Sequence, residues 1–189
     1  MKKSIGAKSL IFPTPTWVLC TYDESGKPNA MTAAWAGICC SKPPCVSVSL
    51  RQATYSYAAV QARKAFTLCV PSESQVVEAD YFGLVSGRNV DKFAATSLTA
   101  SPALSVDAPY IEEFPLVLEC RLKEQLDLGL HTLFVGEILD VRADVDVLGE
   151  NGLPEIDKVK PIVYAAQMSS YHGIGACLGP AFELGKERL

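Results

Sequence analysis

The sequence predicts a mainly β (α+β) protein, in which an antiparallel sheet closes into a small barrel with helices packed outside it. Two observations favour this fold class: strand-like runs follow one another along the chain, and only two segments are clearly helical. With 189 residues, 49% hydrophobic and 20% charged, the chain can bury one core but is short for two. We therefore expect a single domain over residues 1–189.

The first predicted element is a hairpin. Residues 17–22 are rich in β-branched and aromatic side chains, residues 23–28 (DESGKP) form a turn, and residues 29–40 return as one strand. Trp17 is expected in the core. Residues 45–51 (CVSVSLR) form the next strand, which ends with Ser49 and Arg51.

Two helices are expected on either side of a short strand. Over residues 54–64, apolar side chains recur at helical spacing, and residues 65–70 then form a strand. Ser72 and Gln75 make a capping box for a second helix, which ends near Gly83.

The clearest predicted strand covers residues 115–128. Apolar and polar side chains alternate along it with a single lapse at Glu124, so one face should be buried and the other wet. A second long strand over residues 132–141 follows the sequence GLH, and residues 148–154 form a turn-rich loop.

Composition and charge exclude several partners and sites. A net charge of -4 and a pI near 5.2 argue against nucleic acid and against an acidic membrane surface. The longest apolar run, residues 33–40, is far shorter than the roughly 20 residues of a membrane helix. Lys8 and Pro13 interrupt any signal-peptide core, so we expect a cytoplasmic protein.

Cysteine and histidine usage predicts no metal site. The chain has two histidines and no C-x-x-C pair, and its cysteines number seven, an odd count. Cys20, Cys69 and Cys120 lie in strand-like apolar runs and should be reduced, buried thiols. Cys39 and Cys40 are expected to be packed thiols on opposite faces of a strand rather than a redox pair.

Three neighbouring segments have the parts of a site for a flat, phosphorylated cofactor. Small residues at 31–35 (MTAAW) would let a planar ring lie against backbone. Arg51, with Ser49, Thr54 and a helix start, suits a phosphate dianion. Strand-to-helix corners with these residues are also common in proteins that bind no cofactor, so the residues alone leave both interpretations open.

A series of motifs resembles those of the flavoredoxin branch of the flavin reductase-like family. They run in order through nearly the whole chain: PTP at 13–15, NAMTAAW at 29–35, SKPPC at 41–45, VSLR at 48–51, ADYFG at 79–83, SG at 86–87, DKF at 91–93, GLH at 129–131, GEI at 136–138 and YHGIG at 171–175.

This resemblance implies an FMN-binding split β-barrel, usually a homodimer in which both subunits contribute to each cofactor pocket. It also implies that Ser86, Gly87 and Lys92 hold the phosphate, although a lysine is by default a solvated surface charge. The implied cofactor-binding residues are Asn29, Met31, Thr32, Ala33, Ala34, Trp35, Ser49, Leu50, Arg51, Thr54, Tyr55, Ser86, Gly87, Lys92 and Tyr171. FMN is expected rather than FAD, because the chain has no dinucleotide fingerprint.

His131 is the candidate catalytic residue. In resembling flavin reductases, a histidine in this Gly-x-His motif lies near the flavin and helps to position a nicotinamide or donates a hydrogen bond. The alternative is an idle histidine at a strand end. Many of those relatives carry an acidic residue just before the histidine, where this chain has Leu130.

Three functions remain open at this point. In the favoured one, the protein is a flavoredoxin that relays electrons through bound FMN between other redox proteins, without a nicotinamide. In the alternative, it is an NAD(P)H-dependent flavin reductase that delivers reduced flavin to a partner. The third function is a flavin-binding module without turnover.

Overall fold

A computed structural model describes residues 1–188. Short helices flank twelve strands, all of which pair antiparallel. The strands are β1 Thr14–Pro15, β2 Trp17–Tyr22, β3 Pro28–Ala33, β4 Ala36–Ser41, β5 Pro44–Arg51, β6 Ala65–Val70, β7 Ala100–Pro102, β8 Pro109–Ile111, β9 Leu116–Asp127, β10 His131–Ala143, β11 Val163–Ala165 and β12 Ser170–His172. The helices are α1 Tyr55–Arg63, α2 Val76–Leu84, α3 Lys92–Thr96 and α4 Ile156–Val159, with 3₁₀ turns at Glu73–Gln75, Val145–Val147 and Leu184–Arg188.

The main sheet has seven strands in the order β3-β2-β6-β9-β10-β5-β4. Two smaller sheets have the orders β1-β11-β12 and β7-β8. The predicted mainly β architecture is confirmed, and so is the long hairpin in the second half of the chain. The buried face of β9 is shorter than predicted, because Leu126 and Leu128 project beyond the core and are exposed. The prediction that its other face is wet is wrong at Val117 and Glu119, which are buried.

The prediction of one continuous strand over residues 29–40 is wrong. The chain leaves β3 at Ala33, turns at Ala34 and Trp35, and enters β4 at Ala36. β3 and β4 form opposite edges of the seven-stranded sheet, so this turn crosses the open side of the barrel. The Ser49 amide donates to the Trp35 carbonyl at 2.8 Å and ties the turn to β5.

Two apolar clusters form most of the core. One fills the barrel with side chains that include Leu19, Val48, Leu50, Phe66 and Phe134. A Cβ on Gly136 would lie 2.5 Å from Cζ of Phe66, so only glycine lets that ring cross β10. Trp17 is half-buried against this cluster.

The second cluster packs α2 and α3 onto the sheet. Phe82 of α2 and Phe93 of α3 meet with ring centroids 6.0 Å apart, above Val18 and Ala30. At the start of the 3₁₀ turn that leads into α2, the Ser72 amide donates to Oε1 of Gln75 at 2.8 Å, as the capping-box prediction requires. This packing fixes α2 and α3 beside β3, where the cleft described below opens.

The cysteines divide into buried and exposed thiols, all of them free. Cys20, Cys69 and Cys120 are buried as predicted, and burial raises the pKa of Cys120. Cys39 and Cys40 are both exposed on edge strand β4, at a register irregularity between Ile38 and Cys40, so the prediction that they are packed thiols is wrong. Over residues 1–188, no helix is long and apolar enough to cross a membrane.

Candidate functional site

A cleft of about 340 Å³, which we call the main cleft, opens between β3, the start of α1 and the segment from the end of α2 to α3. This volume lies within the range of about 300 to 1,000 Å³ that is usual for small-molecule sites. The lining residues are Asn29, Met31, Thr32, Arg51, Ala53, Thr54, Tyr55, Ser56, Phe82, Gly83, Leu84, Val85, Ser86, Gly87, Arg88 and Lys92.

The start of α1 is available to an anion. The Thr54 hydroxyl donates to the Arg51 carbonyl at 2.8 Å and therefore does not cap the first turn of α1. That turn also contains no acidic residue. Its backbone N–H groups carry the positive end of the helix dipole, which favours a negatively charged ligand.

Asn29, Gly87 and Tyr55 fix the shape of the cleft by close contact. Nδ2 of the buried Asn29 donates to Oγ of Ser56 at 2.8 Å, which joins β3 to α1. A Cβ on Gly87 would collide with Oδ1 of Asn29 and would lie 2.7 Å from Cδ1 of Tyr55. Only glycine lets the loop backbone approach this closely.

Two exposed guanidinium groups line the cleft, from Arg51 at the end of β5 and Arg88 in the loop after α2. Among the ion pairs of residues 1–188, neither arginine has a carboxylate partner. Guanidinium groups bind phosphate oxygens through two parallel hydrogen bonds. The cleft therefore presents two positive charges and a helix start, a donor set that fits the phosphate of a cofactor.

Lys92 lies in the cleft wall, but its ammonium is engaged by backbone. It is buried, and Nζ donates to the carbonyls of Ala30 and Phe82 at 2.7 and 2.9 Å. Desolvation lowers the pKa of Lys92 to about 8. Lys92 therefore joins β3 to the last turn of α2 and is not a solvated surface charge, and its predicted contact with the phosphate stays a prediction.

The remaining predicted residues lie in three places. Ala34, Trp35 and Ser49 line a second cavity of about 540 Å³, which Leu133 and Gly37 also border. The side chains of Ala33 and Leu50 are buried in the barrel core, so only their backbone can face a ligand. The sequence predicted one continuous binding surface for these residues, whereas the turn after β3 divides it into two cavities.

Tyr171 lies outside the lining of both cavities in this chain. Its hydroxyl donates to Oδ1 of Asp80 at 2.8 Å, and its ring packs on Tyr164 with centroids 5.4 Å apart. Burial and this hydrogen bond raise the pKa of Tyr171. Tyr171 joins β12 to α2 in this chain. The sequence predicts that Tyr171 contacts the cofactor, but within the chain it does not cover the main cleft.

His131 begins β10 and is the direct cross-strand partner of Arg51. Arg51 lines the cleft, whereas His131 is half-buried on the neighbouring strand and does not line it. The exposed Leu130 precedes His131 in the chain. The register therefore brings the candidate catalytic residue next to the predicted phosphate ligand, although the two are far apart in sequence.

The sequence missed several lining residues, among them Ser56, Phe82 and Arg88. Arg88 immediately follows the predicted Ser86-Gly87 pair, so its spacing carried a usable signal. Phe82 carried none, because a helical phenylalanine usually packs in the core.

Comparison with known proteins identifies the family. The flavin reductase like domain model matches residues 9–173. The chain belongs to that family. The flavoredoxin of Desulfovibrio vulgaris (Miyazaki F) is 49% identical, with a TM-score of 0.94 over 98% of this chain and 100% of that one. The flavoredoxin of Methanosarcina acetivorans is 29% identical, with a TM-score of 0.93 and full coverage of both chains.

A longer relative contains a matching region. The high molecular weight rubredoxin of Moorella thermoacetica is 29% identical over 150 residues, which cover 78% of this chain and 59% of that protein. This flavin reductase-like chain thus resembles both free-standing flavoredoxins and part of a larger protein.

Proposed function

We propose that this protein is an FMN-binding flavoprotein of the flavoredoxin type, which relays electrons between other redox proteins. The observation that carries the proposal is the full-length likeness to flavoredoxins, at up to 49% identity among the structures described above. The cleft supports it independently, because two unpaired guanidinium groups and an uncapped helix start suit the terminal phosphate of FMN.

In this proposal, the chain binds and orients the cofactor. Arg51, Arg88 and the first turn of α1 would hold the phosphate, while Asn29, Met31 and Thr32 would form the wall along which the rest of the molecule lies. The side chains that line the main cleft include no histidine or carboxylate. Its two titratable groups other than the arginines are engaged within the protein, Tyr55 by Asp23 and Lys92 by two backbone carbonyls. Bound FMN would supply the redox chemistry through its isoalloxazine ring.

The site favours a carrier over a nicotinamide-dependent reductase. Leu130 is exposed and apolar at the position where many reductases have an acidic residue, and His131 lies outside the linings of the main cleft and the second cavity. The likeness to part of a high molecular weight rubredoxin is consistent with another redox protein as the electron partner.

The test begins with the absorbance spectrum of the freshly purified protein, and with mass spectrometry of the ligand that this protein releases. We expect FMN, and release of FAD alone would overturn the phosphate assignment. Anaerobic NADH or NADPH should leave the protein yellow, whereas dithionite should bleach it and a reduced rubredoxin or ferredoxin should then exchange electrons with it. Fast bleaching by NAD(P)H would assign a reductase, and failure of every protein donor and acceptor would leave a binding module.

We also propose that the protein is a cytoplasmic homodimer. An exposed apolar surface, which we call the edge face, consists of Ile11, Phe12, Trp35 and Ile38. Ile11 and Trp35 border the same cavity, and Ile38 lies on edge strand β4. Exposed apolar patches mark contact surfaces in many proteins. The seven free thiols are consistent with a reducing compartment.

A further inference from the structure

We propose that Arg88 is a specificity-determining phosphate ligand and that Tyr55, held by Asp23, positions its guanidinium. This inference rests on the proposed binding of FMN. It adds a chain of three side chains, from the turn after β2 through α1 to the loop after α2, whose end faces the cleft.

The first link of the chain is a fixed carboxylate. Oδ1 of Asp23 accepts from the Ser25 amide at 2.8 Å, the Ser25 hydroxyl at 2.7 Å and the Lys27 amide at 2.9 Å. Although burial alone would raise it, the pKa of Asp23 is lowered by these hydrogen bonds and by one from Tyr55. Asp23 is therefore an ionised, immobile acceptor at neutral pH.

The second link is Tyr55. Its hydroxyl donates to Oδ2 of Asp23 at 2.9 Å, and this bond, with partial burial, raises the pKa of Tyr55. The other side of the ring is pressed by the loop backbone at Gly87, where a Cβ would come within 2.7 Å of Cδ1. The phenol is thus held at both its edge and its tip.

The third link is Arg88, whose guanidinium lies over the Tyr55 ring, with Cζ 5.6 Å from the centroid. Nη1 donates to the Ala53 carbonyl at 2.9 Å, and the Arg88 amide lies 3.3 Å from Oγ of Ser86. The hydrogen bond from Nη1 and the contact with the face of the Tyr55 ring together orient the plane of the Arg88 guanidinium. Nη2 and Nε make no hydrogen bond to residues 1–188, so they remain available to an oxyanion.

Charge on the two sides of the Tyr55–Arg88 pair directs the anion to one of them. The pair borders the main cleft on one side and, on the other, a separate cleft of about 400 Å³, which we call the acidic cleft. Asp23, Glu24 and Ser25 line the acidic cleft, so its negative charge disfavours phosphate. The main cleft contributes Arg51 and the start of α1, so the phosphate binds there.

The experiment compares the affinity of the apo-protein for FMN and for riboflavin, which lacks the phosphate. Arg88→Ala should weaken FMN about tenfold to a hundredfold and leave riboflavin nearly unchanged, because only a charge-assisted contact to phosphate is lost. Arg88→Lys should restore part of the loss, since lysine keeps the charge but not the planar fork. Arg121→Ala, at an exposed arginine on β9, is the matched control and should leave both affinities unchanged.

Variants of the supporting residues test the positioning role. Tyr55→Phe keeps the ring but loses the bond to Asp23, and Asp23→Asn replaces the ionised acceptor. Both should weaken FMN about threefold to tenfold without affecting riboflavin, and both should reduce the salt dependence of FMN binding less than Arg88→Ala does. Thermal unfolding of each apo-variant shows whether the fold is intact.

Three results would overturn the inference. One is an unchanged ratio of FMN to riboflavin affinity in Arg88→Ala, and another is an equal loss of both ligands, which would mean a merely structural arginine. The third is wild-type affinity in both Tyr55→Phe and Asp23→Asn, which would remove the positioning role. A wild type that binds neither flavin contradicts the proposed function itself. This outcome differs from the three above, because each of them requires a measurable affinity of the wild type for FMN.

Discussion

Arg51 terminates β5 and borders the cleft without a carboxylate partner. Arg51→Ala should weaken FMN about tenfold to a hundredfold while leaving the free energy of unfolding of the apo-protein nearly unchanged, because its side chain is exposed. Titration of the apo-protein with FMN at fixed salt measures the loss. An unchanged affinity would make Arg51 an ordinary surface residue.

His131 tests the choice between carrier and reductase. If His131 positions a nicotinamide, His131→Ala should slow the reduction of bound flavin by NAD(P)H and leave FMN affinity intact, since only a contact made on the way to hydride transfer is lost. Because of Leu130, we expect wild-type reduction to be slow already, and the variant to lose only thermal stability. Anaerobic stopped-flow measurements that show a fast wild type and a slow variant would contradict the carrier.

Lys92 makes stability depend on pH. Its pKa is lowered to about 8 in the folded protein, against an ordinary value of 10.5. Between these values the unfolded chain holds the proton and the folded chain does not, so the contribution of Lys92 to the free energy of unfolding rises with pH. The rise is at most about 1.4 kcal/mol per pH unit. Below pH 8 the penalty for the buried charge is constant.

The measurement for Lys92 compares urea unfolding of the wild type and Lys92→Met at several pH values from 7 to about 10.5. Buried Cys120 and half-buried Tyr171 have raised pKa values and act in the opposite direction, but they are common to both proteins and cancel in the difference. We expect the wild type to gain stability relative to the variant across this range. A constant difference would show that the Lys92 ammonium is solvated.

At the scale of elements, helix α1 has a first turn that no side chain caps, and this predicts opposite effects on stability and binding. Thr54→Asp would place a carboxylate at the helix start, which should stabilise the apo-protein by about 0.5 to 1 kcal/mol. The same charge should weaken FMN by about tenfold or more, through repulsion of the phosphate. Thermal unfolding and FMN titration measure the two effects.

Thr54→Asn is the neutral control. It should stabilise the helix start to a similar extent but cost much less FMN affinity, because it brings no charge. If Thr54→Asp bound FMN as tightly as Thr54→Asn, the phosphate would not lie at α1.

Which elements the sequence predicts well follows from their length. Residues 115–128 alternate over many positions, so the extent of β9 was predicted closely, although Val117 and Glu119 of the predicted wet face are buried and residues 123–127 are exposed. β1, β11 and β12 have only two or three residues each, which is too few for a recognisable alternation of apolar and polar residues. The turn at Ala34 and Trp35 was also not predicted. The local sequence favours extended backbone there, whereas the turn is imposed by the pairing of β3 and β4 with distant strands.

The same reasoning applies to the site. Thr54, Tyr55 and Arg51 could be predicted because they lie together at a strand-to-helix corner. The engagement of Lys92 with two backbone carbonyls could not, since the carbonyls belong to elements brought together only by packing. The division of the predicted surface into two cavities is likewise a product of the turn between β3 and β4.

At the scale of the whole molecule, the edge face predicts the assembly state. Ile38→Asp would place a charge in a proposed apolar contact, so it should convert a dimer into monomers at micromolar concentration. Light scattering coupled to size exclusion measures the mass, and Val77→Asp, at an exposed position on α2, is the control. A monomeric wild type, or a dimeric Ile38→Asp protein, would contradict the proposed contact.

Every residue that lines the main cleft lies between Asn29 and Lys92. The long β9–β10 hairpin contributes no side chain to that lining, although it forms the middle of the seven-stranded sheet. The lining of the main cleft and the centre of the main sheet are thus encoded in separate parts of the gene product. Substitutions in the segment from Asn29 to Lys92 can therefore alter what the main cleft accepts without changing any side chain of the hairpin.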